Sequence, residues 1–497
     1  MKKCLSFILC LAFMLSCCFA VKAEEEAVHL HIVVLGSRPD DGDLVYGMLS
    51  DMAKRDINTT FEIQYLSIGD YTQRYPLMLS AAEDIDLIYT SSWCFYAQEA
   101  TKGSFLEVTE EIVKTYMPLT YANQNPLSFE QAEINGKVYF VPFNKAEFIG
   151  SCNNAVLIRG DLREKYNLDP IDSIEAFAEY LECVAEGEAL NGIEPYAASQ
   201  NNDLLVGVTT AYNNWCVING LSDFFVFKYD ENNTIDDVVF MYETEEYRQN
   251  ALLMKEWADK GFWSKNAIAN ATATVDSFKN GLSASYIADV NTVGNAAKAV
   301  DEEHPEWKVE MYDLNPGSIH TYGSYNGDGF AVTSFSKHPE NAFMLLDLLK
   351  FDKEYYELFR YGIEGKHWIA VGDDKWEAGP DQSAYPYGTG TWGIKNSMYE
   401  RTRTDAWADV AEIFASWTVV DTPWAAFIFD DSNVKSELAN LNDLRIQYDY
   451  VLDLGMAADV DATLNEFIQK CKLAGLETVR DELYSQLSAF IEAQADK

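Results

Sequence analysis

The sequence predicts an α/β protein built on an open parallel sheet, and three observations predict it. Between residues 28 and 89, short alternating or apolar runs of strand character alternate with amphipathic helical stretches, the pattern of a parallel sheet with crossover helices. The chain has 497 residues, of which 48% are apolar and 13% aromatic. That is a globular composition with enough length for roughly two or three domains of about 150 residues each. Gly and Pro number only 28 and 13, too few for a collagen-like or linker-dominated chain.

Charge excludes partners. Asp and Glu total 79 against 37 Lys and Arg, a net charge of −42. Phosphate backbones and anionic lipid select basic surfaces, so neither a nucleic acid nor peripheral docking on such a membrane is expected.

The amino terminus reads as an export signal covering residues 1–23. Lys2 and Lys3 precede an uncharged apolar stretch, Leu5 to Phe19, which is short for a bilayer span and has the proportions of a signal core. Two exits stay open. Val21-Lys22-Ala23 before Glu24-Glu25-Glu26 reads as an ordinary cleavage site. Leu15-Ser16-Cys17-Cys18 reads as an imperfect lipobox that would place a lipid on Cys18, weakened by Cys17 before it and Phe19 after it. Either way the protein is exported, and a lipid anchor is the one membrane attachment expected. No later apolar run approaches about 18 residues.

Val28–Leu35 (VHLHIVVL) is the first strand, ending at Gly36. A helix from about Leu44 to Lys54 follows, then the alternating strand Phe61–Leu66, a helix that follows Gly69-Asp70-Tyr71 and runs through Tyr75 to Ala82, and the apolar strand Ile85–Tyr89. Ligands of open parallel sheets bind beyond the carboxyl ends of the strands. That rule marks three loops, Gly36 to Asp43, Ser67 to Tyr71 and Thr90 to Tyr96, and with them Arg38, Tyr71 and Trp93. His29 and His31 share a strand face, but no carboxylate or third histidine stands near them in sequence, so no metal is expected.

Other chemistry is thinly signalled. Cys94, Cys152, Cys183, Cys216 and Cys471 are widely spaced with no CxxC; they read as buried thiols, with a disulfide among Cys152, Cys183 and Cys216 left open. No GxSxG or Walker A is present, so neither a serine nucleophile elbow nor a P-loop phosphate cradle is indicated, and no cofactor is expected. Asp230 to Asp237 is acidic, but lacks the Gly and Glu of an EF-hand loop and reads as a solvated turn between hairpin arms. Paired carboxylates for glycoside hydrolysis are decided by separation in space, so a secreted glycosidase stands as the rival from another class.

Asn135-Gly136 is a hairpin turn signal inside Ile134-Asn-Gly-Lys-Val-Tyr-Phe-Val-Pro142. With Val156–Pro170, Tyr361–Trp368, Pro423–Asp431 and the helical stretch from Leu464 to Phe490, it resembles the extracellular solute-binding proteins of carbohydrate-type ABC importers. The particular likeness is to a lipoprotein-like subgroup with a C-terminal extension. The resemblance implies a non-enzymatic, two-lobed, type II-like clamshell with discontinuous lobes. Lobe 1 is expected at 28–143 plus 288–345 and lobe 2 at 144–287 plus 346–497. It implies an oligosaccharide or related glycan held between the lobes, delivery to the transmembrane subunits of an ABC permease, a monomeric state, and residence on the outer face of the cell membrane. A peptide or other non-sugar solute is the alternative ligand. Pyranose rings stack their C–H faces on Trp and Tyr while polar side chains take the hydroxyls. Aromatic, Gly-rich loops therefore add candidates: Trp215 after Thr209–Asn214, Tyr325 and Asp328 in His320–Asp328, and Trp392 in Ala384–Gly393. Gly327 and Gly329 flank Asp328 and are expected to leave its carboxylate accessible.

Overall fold

The computed structural model describes residues 26–67, 70–145, 155–199, 215–218, 221, 224–230, 232–270, 272, 274–314, 319–388, 390–421 and 424–495. The signal segment with Cys18, as well as Cys152 and the stretch 209–214, lies outside the described residues.

The expected alternation forms a sheet. Strand β1 (Val28–Leu35) runs parallel to β2 (Thr59–Leu66) in unbroken register from Val28↔Thr59 to Leu35↔Leu66, and parallel to β3 (Leu87–Thr90) on its other side. Helix α1 (Gly42–Ile57) buries Val45, Tyr46, Leu49 and Ala53 at helical spacing and ends on Asn58 in the left-handed conformation. Helix α2 (Tyr71–Ser80) buries Tyr75, Met78 and Leu79. The sheet then becomes mixed. Gly329–Val332 pairs antiparallel with β3, and Val141–Pro142 pairs antiparallel with Gly329–Val332. Residues about 240 positions apart thereby become neighbours, with Phe330 opposite Tyr89. Asn135 and Gly136 both have positive φ and turn the hairpin between Glu133–Ile134 and Lys137–Val138, as such a turn requires.

A second body forms around Ala155–Ile158, a fully buried strand flanked antiparallel by Ser285–Ala288 and Glu310–Asp313. Its larger core joins Phe177, Tyr180, Phe225 and Trp257 to Trp424, Phe467 and Leu483, so the C-terminal helices Lys435–Asp453, Val460–Ala474 and Leu476–Ala495 close this body. The acidic stretch after Lys228 is a turn, as read: Phe225–Lys228 pairs antiparallel with Val239–Phe240, and Thr234 and Asp237 cap one another within it.

The packing divides the chain differently from the boundaries expected at 288 and 346. Val290, Val293, Ala297 and Met311 share a core with Leu157, Phe278 and Tyr286, because Glu310–Asp313 occupies the free edge of Ala155–Ile158. The stretch 290–313 therefore belongs to the second body and not the first. Conversely, Leu346, Leu349, Tyr356, Phe359, Trp368, Trp376 and Ile394 pack into the core of the first sheet, since helix Pro339–Phe351 covers that sheet. Among the described residues, Cys94, Cys183, Cys216 and Cys471 are free thiols, Cys94 and Cys471 buried and the other two half-buried.

Candidate functional site

Past the end of β3 the chain turns sharply: Phe95 takes a positive φ of 58° and Trp93 is left 47% exposed. The indole Nε1 of Trp93 donates to the carbonyl of Gly327 at 3.1 Å, which ties the loop to the turn before Gly329–Val332. Around it stand Tyr71 at 5.9 Å, edge-on, Tyr89 at 5.8 Å and Trp392 at 6.3 Å between ring centroids, and Tyr89 and Trp392 are 6.0 Å apart. Edge and tilted pairs at these distances add to simple burial, so the rings brace one another. Burial raises the Tyr71 hydroxyl above its ordinary pKa, with a further contribution from Cys94.

Beneath the platform lies a charged pair. The Tyr89 hydroxyl donates to Asp328 Oδ1, and Lys395 Nζ donates to Asp328 Oδ2 at 2.8 Å. Burial, reinforced by the Asp328 charge, pushes the Tyr89 hydroxyl far above the usual tyrosine range, so it remains a donor. Asp328 is only 5% exposed and both its oxygens are engaged. The expectation that flanking glycines leave it open does not hold. Gly329 serves packing instead, since a Cβ there would lie 2.3 Å from the Phe140 ring.

Beside Trp392 runs an open groove of about 430 Å³, bordered by Ser37, Arg38 and Asp40 from the loop after β1 and by Tyr387, Gly388 and Gly390 opposite. Arg38 donates through Nη1 to the Ile63 carbonyl at 2.8 Å, pairs with Asp43 and lies 5.7 Å over the Tyr46 ring. It borders the groove half-exposed, with its guanidinium partly engaged. Gly390 has φ +67°, and a Cβ would meet Val34 and the Tyr65 hydroxyl at 2.9 Å, so the loop approaches β1 and β2 as only glycine allows. A buried pair anchors the loop from below. Arg360 donates to Glu400 at 2.9 Å, to the Tyr387 hydroxyl at 2.8 Å and to Thr391 Oγ1 at 3.0 Å.

The structure thus brings Tyr71, Trp93 and Trp392 together over Asp328, and sets Arg38 in the same groove as Trp392. Two expected residues sit elsewhere. Tyr325 is 6% exposed; its ring packs 5.9 Å from Phe143 and its hydroxyl accepts from Asn125 at 2.9 Å, the contacts of a packing residue. Trp215 lies on the second body, opposite Lys228 on the neighbouring strand, with that ammonium 5.0 Å over its ring and its indole nitrogen buried without a hydrogen-bond partner. Sequence reasoning missed Tyr89, Tyr387, Lys395 and the Arg360–Glu400 pair. Tyr89 had a signal, as the penultimate residue of a strand that ends at the marked loop; for Arg360 and Glu400 no local signal exists. Chemically, an exposed tryptophan, Trp93, next to the half-buried Trp392 beside a polar groove receives a ligand with one apolar face and hydroxyl-bearing edges.

Residues 423–492 match a family described as a domain of unknown function, DUF3502. Over 475 residues the chain is 24% identical to a carbohydrate ABC transporter substrate-binding protein of Streptococcus pneumoniae serotype 4, across 92% of this chain and 90% of that protein. The crystal structure of the N-glycan transport solute-binding protein NgtS from Streptococcus pneumoniae aligns with a TM-score of 0.72 at 21% identity, covering 94% of this chain and 100% of that one. NgtS in complex with Man5GlcNAc aligns at 0.70 and 20% identity, covering 94% and 99%. The fold is that of the two-lobed solute-binding proteins, as the motif resemblance implies, and the likeness to binding proteins of carbohydrate importers extends over nearly the whole chain.

Proposed function

We propose that this protein is an extracellular solute-binding protein that captures an oligosaccharide for a carbohydrate ABC importer. The observation that carries the reading is the Trp93–Trp392 platform beside the groove of Arg38, Asp40 and Tyr387, in a fold shared with a binding protein solved with Man5GlcNAc. In this reading a sugar ring stacks on the platform and its hydroxyls meet the groove. The second body then closes over it, with the ligand favouring the closed arrangement by binding it more tightly. The closed form is what a permease recognises. Delivery at the cell surface is best served by a tethered monomer, and a lipid on Cys18, one of the two exits open to the signal, would supply the tether.

The test is calorimetric titration with Man5GlcNAc and a glycan panel, alongside product analysis. Trp93→Ala and Trp392→Ala should each weaken binding by about 1–3 kcal/mol, roughly five- to a hundred-fold. If both variants bind like the wild type, the platform is not the site. If the glycan is cleaved catalytically, the protein is a hydrolase and not a carrier.

A further inference from the structure

We propose that His29, His31 and Glu62 form a binding site for a borderline divalent transition metal, with Zn2+ as the expected occupant. The site lies apart from the sugar groove. His29 precedes Gly36 by seven residues, roughly 23 Å along an extended strand.

Strand pairing assembles what sequence distance separates. The parallel register sets His31 directly beside Glu62 and His29 beside Thr60, and alternation keeps these four on one face. That face is open to solvent: His29 and Glu62 are exposed and His31 half-buried. One donor atom from each of His29, His31 and Glu62 lies within 4.8 Å of the other two, close enough for one ion to reach all three.

Two details separate this cluster from an ordinary polar patch. His31 Nδ1 and Glu62 Oε1 are 3.6 Å apart, beyond a hydrogen bond. Two ligands of a tetrahedral zinc, each about 2.0–2.1 Å from the ion, are separated by about 3.3 Å. The pair is therefore spaced for an ion between its atoms. The second detail is the orientation of His29. Thr60 Oγ1 donates to the Val28 carbonyl at 3.3 Å and contacts His29 Nδ1 at 2.9 Å. In the tautomer in which that hydroxyl accepts from Nδ1–H, the lone pair of His29 is left on Nε2, available to a metal, the arrangement by which partners outside the coordination sphere orient ligating histidines. The rings meet edge-on at 5.4 Å between centroids, so they do not stack face to face and block one another.

Two imidazoles and one carboxylate select Zn2+, Cu2+ or Ni2+ over Ca2+ and Mg2+, which take oxygen ligands. Three protein ligands leave the fourth position to water or an incoming donor. The experiment is calorimetric titration of the purified protein with ZnCl2, with Co2+ absorption in the visible as a coordination readout. One equivalent should bind in the presence of excess Mg2+, and His29→Ala and His31→Ala should each weaken binding by more than about ten-fold. His29 is exposed and His31 half-buried, and circular dichroism checks that the variants fold. Absence of zinc binding by the wild type, or wild-type affinity in either histidine variant, overturns the proposal.

Discussion

Replacing Glu400 by Gln should destabilise the first body by about 3 kcal/mol and loosen the sugar groove at the same time. The carboxylate lies in a pocket where burial alone would raise its pKa. The charge of Arg360, then that of Lys145, and hydrogen bonds from Arg360 and Tyr356 instead bring it from its ordinary 4.5 down to about 2. At about 1.36 kcal/mol for each pH unit, a drop of that order corresponds to a few kcal/mol. Removing one partner of a buried ion pair leads independently to about 3–5 kcal/mol, so the two routes agree. For a body of this size the loss should appear as a melting temperature lower by roughly 6–12 °C. The sign of the pH dependence is fixed. Because the folded pKa is depressed, the stabilisation is fully present above pH 4.5 and is lost as pH falls toward 2. The gap between wild type and variant should therefore close across that window in a thermal-melt series. Since Arg360 also holds Thr391 and Tyr387, glycan affinity should fall too. Adding Arg360→Met should recover part of the stability, because the isolated buried cation is what the single variant leaves behind. A Glu400→Gln protein that melts within about 1 °C of wild type at neutral pH would refute the reasoning.

Three further outcomes are expected. Asp328→Asn removes the carboxylate shared by Tyr89 and Lys395, and should lower stability by about 1.5–3 kcal/mol, read by denaturant melts, and weaken glycan binding through the displaced platform. Gly393→Ala would place a Cβ 2.6 Å from the Gly329 carbonyl; the turn carrying Trp392 must shift, and calorimetry should find reduced affinity even where the fold survives. Lys350, fully buried, donates to Gln124 Oε1 at 2.8 Å, and burial pushes its ammonium down to about 7 despite the nearby Asp347. Between pH 7 and the ordinary lysine range the unfolded chain binds more protons than the folded one, so stability should rise with pH there, and Lys350→Met should abolish that rise.

Much of the first sheet was legible in the sequence because its information is local. The alternation of Phe61–Leu66, the apolar Leu87–Tyr89 and the helical spacing of Val45, Leu49 and Ala53 each encode a face, and parallel strands joined by short helices leave little choice of neighbour. The Asn135-Gly136 turn was equally legible, because positive φ at two successive residues is a backbone demand. The loop carrying Trp93 followed from the strand-end rule. Tertiary structure decided the rest. Whether Glu310–Asp313 joins the strand at 155 or the first sheet depends on which unpaired edge is free, and no residue within the segment encodes that. Asp328 read as accessible from its glycine neighbours, yet its exposure was set by Tyr89 and Lys395, 239 and 67 positions away. Tyr325 and Trp392 look alike as aromatics in Gly-rich loops, and only packing made one a core ring and the other a wall of the groove. The same holds for Glu62, which becomes the neighbour of His31 only through the register of β1 and β2. Sequence spacing fixes which side chains share a face of one element, whereas a site is built where faces of different elements meet, and long-range pairing alone determines that.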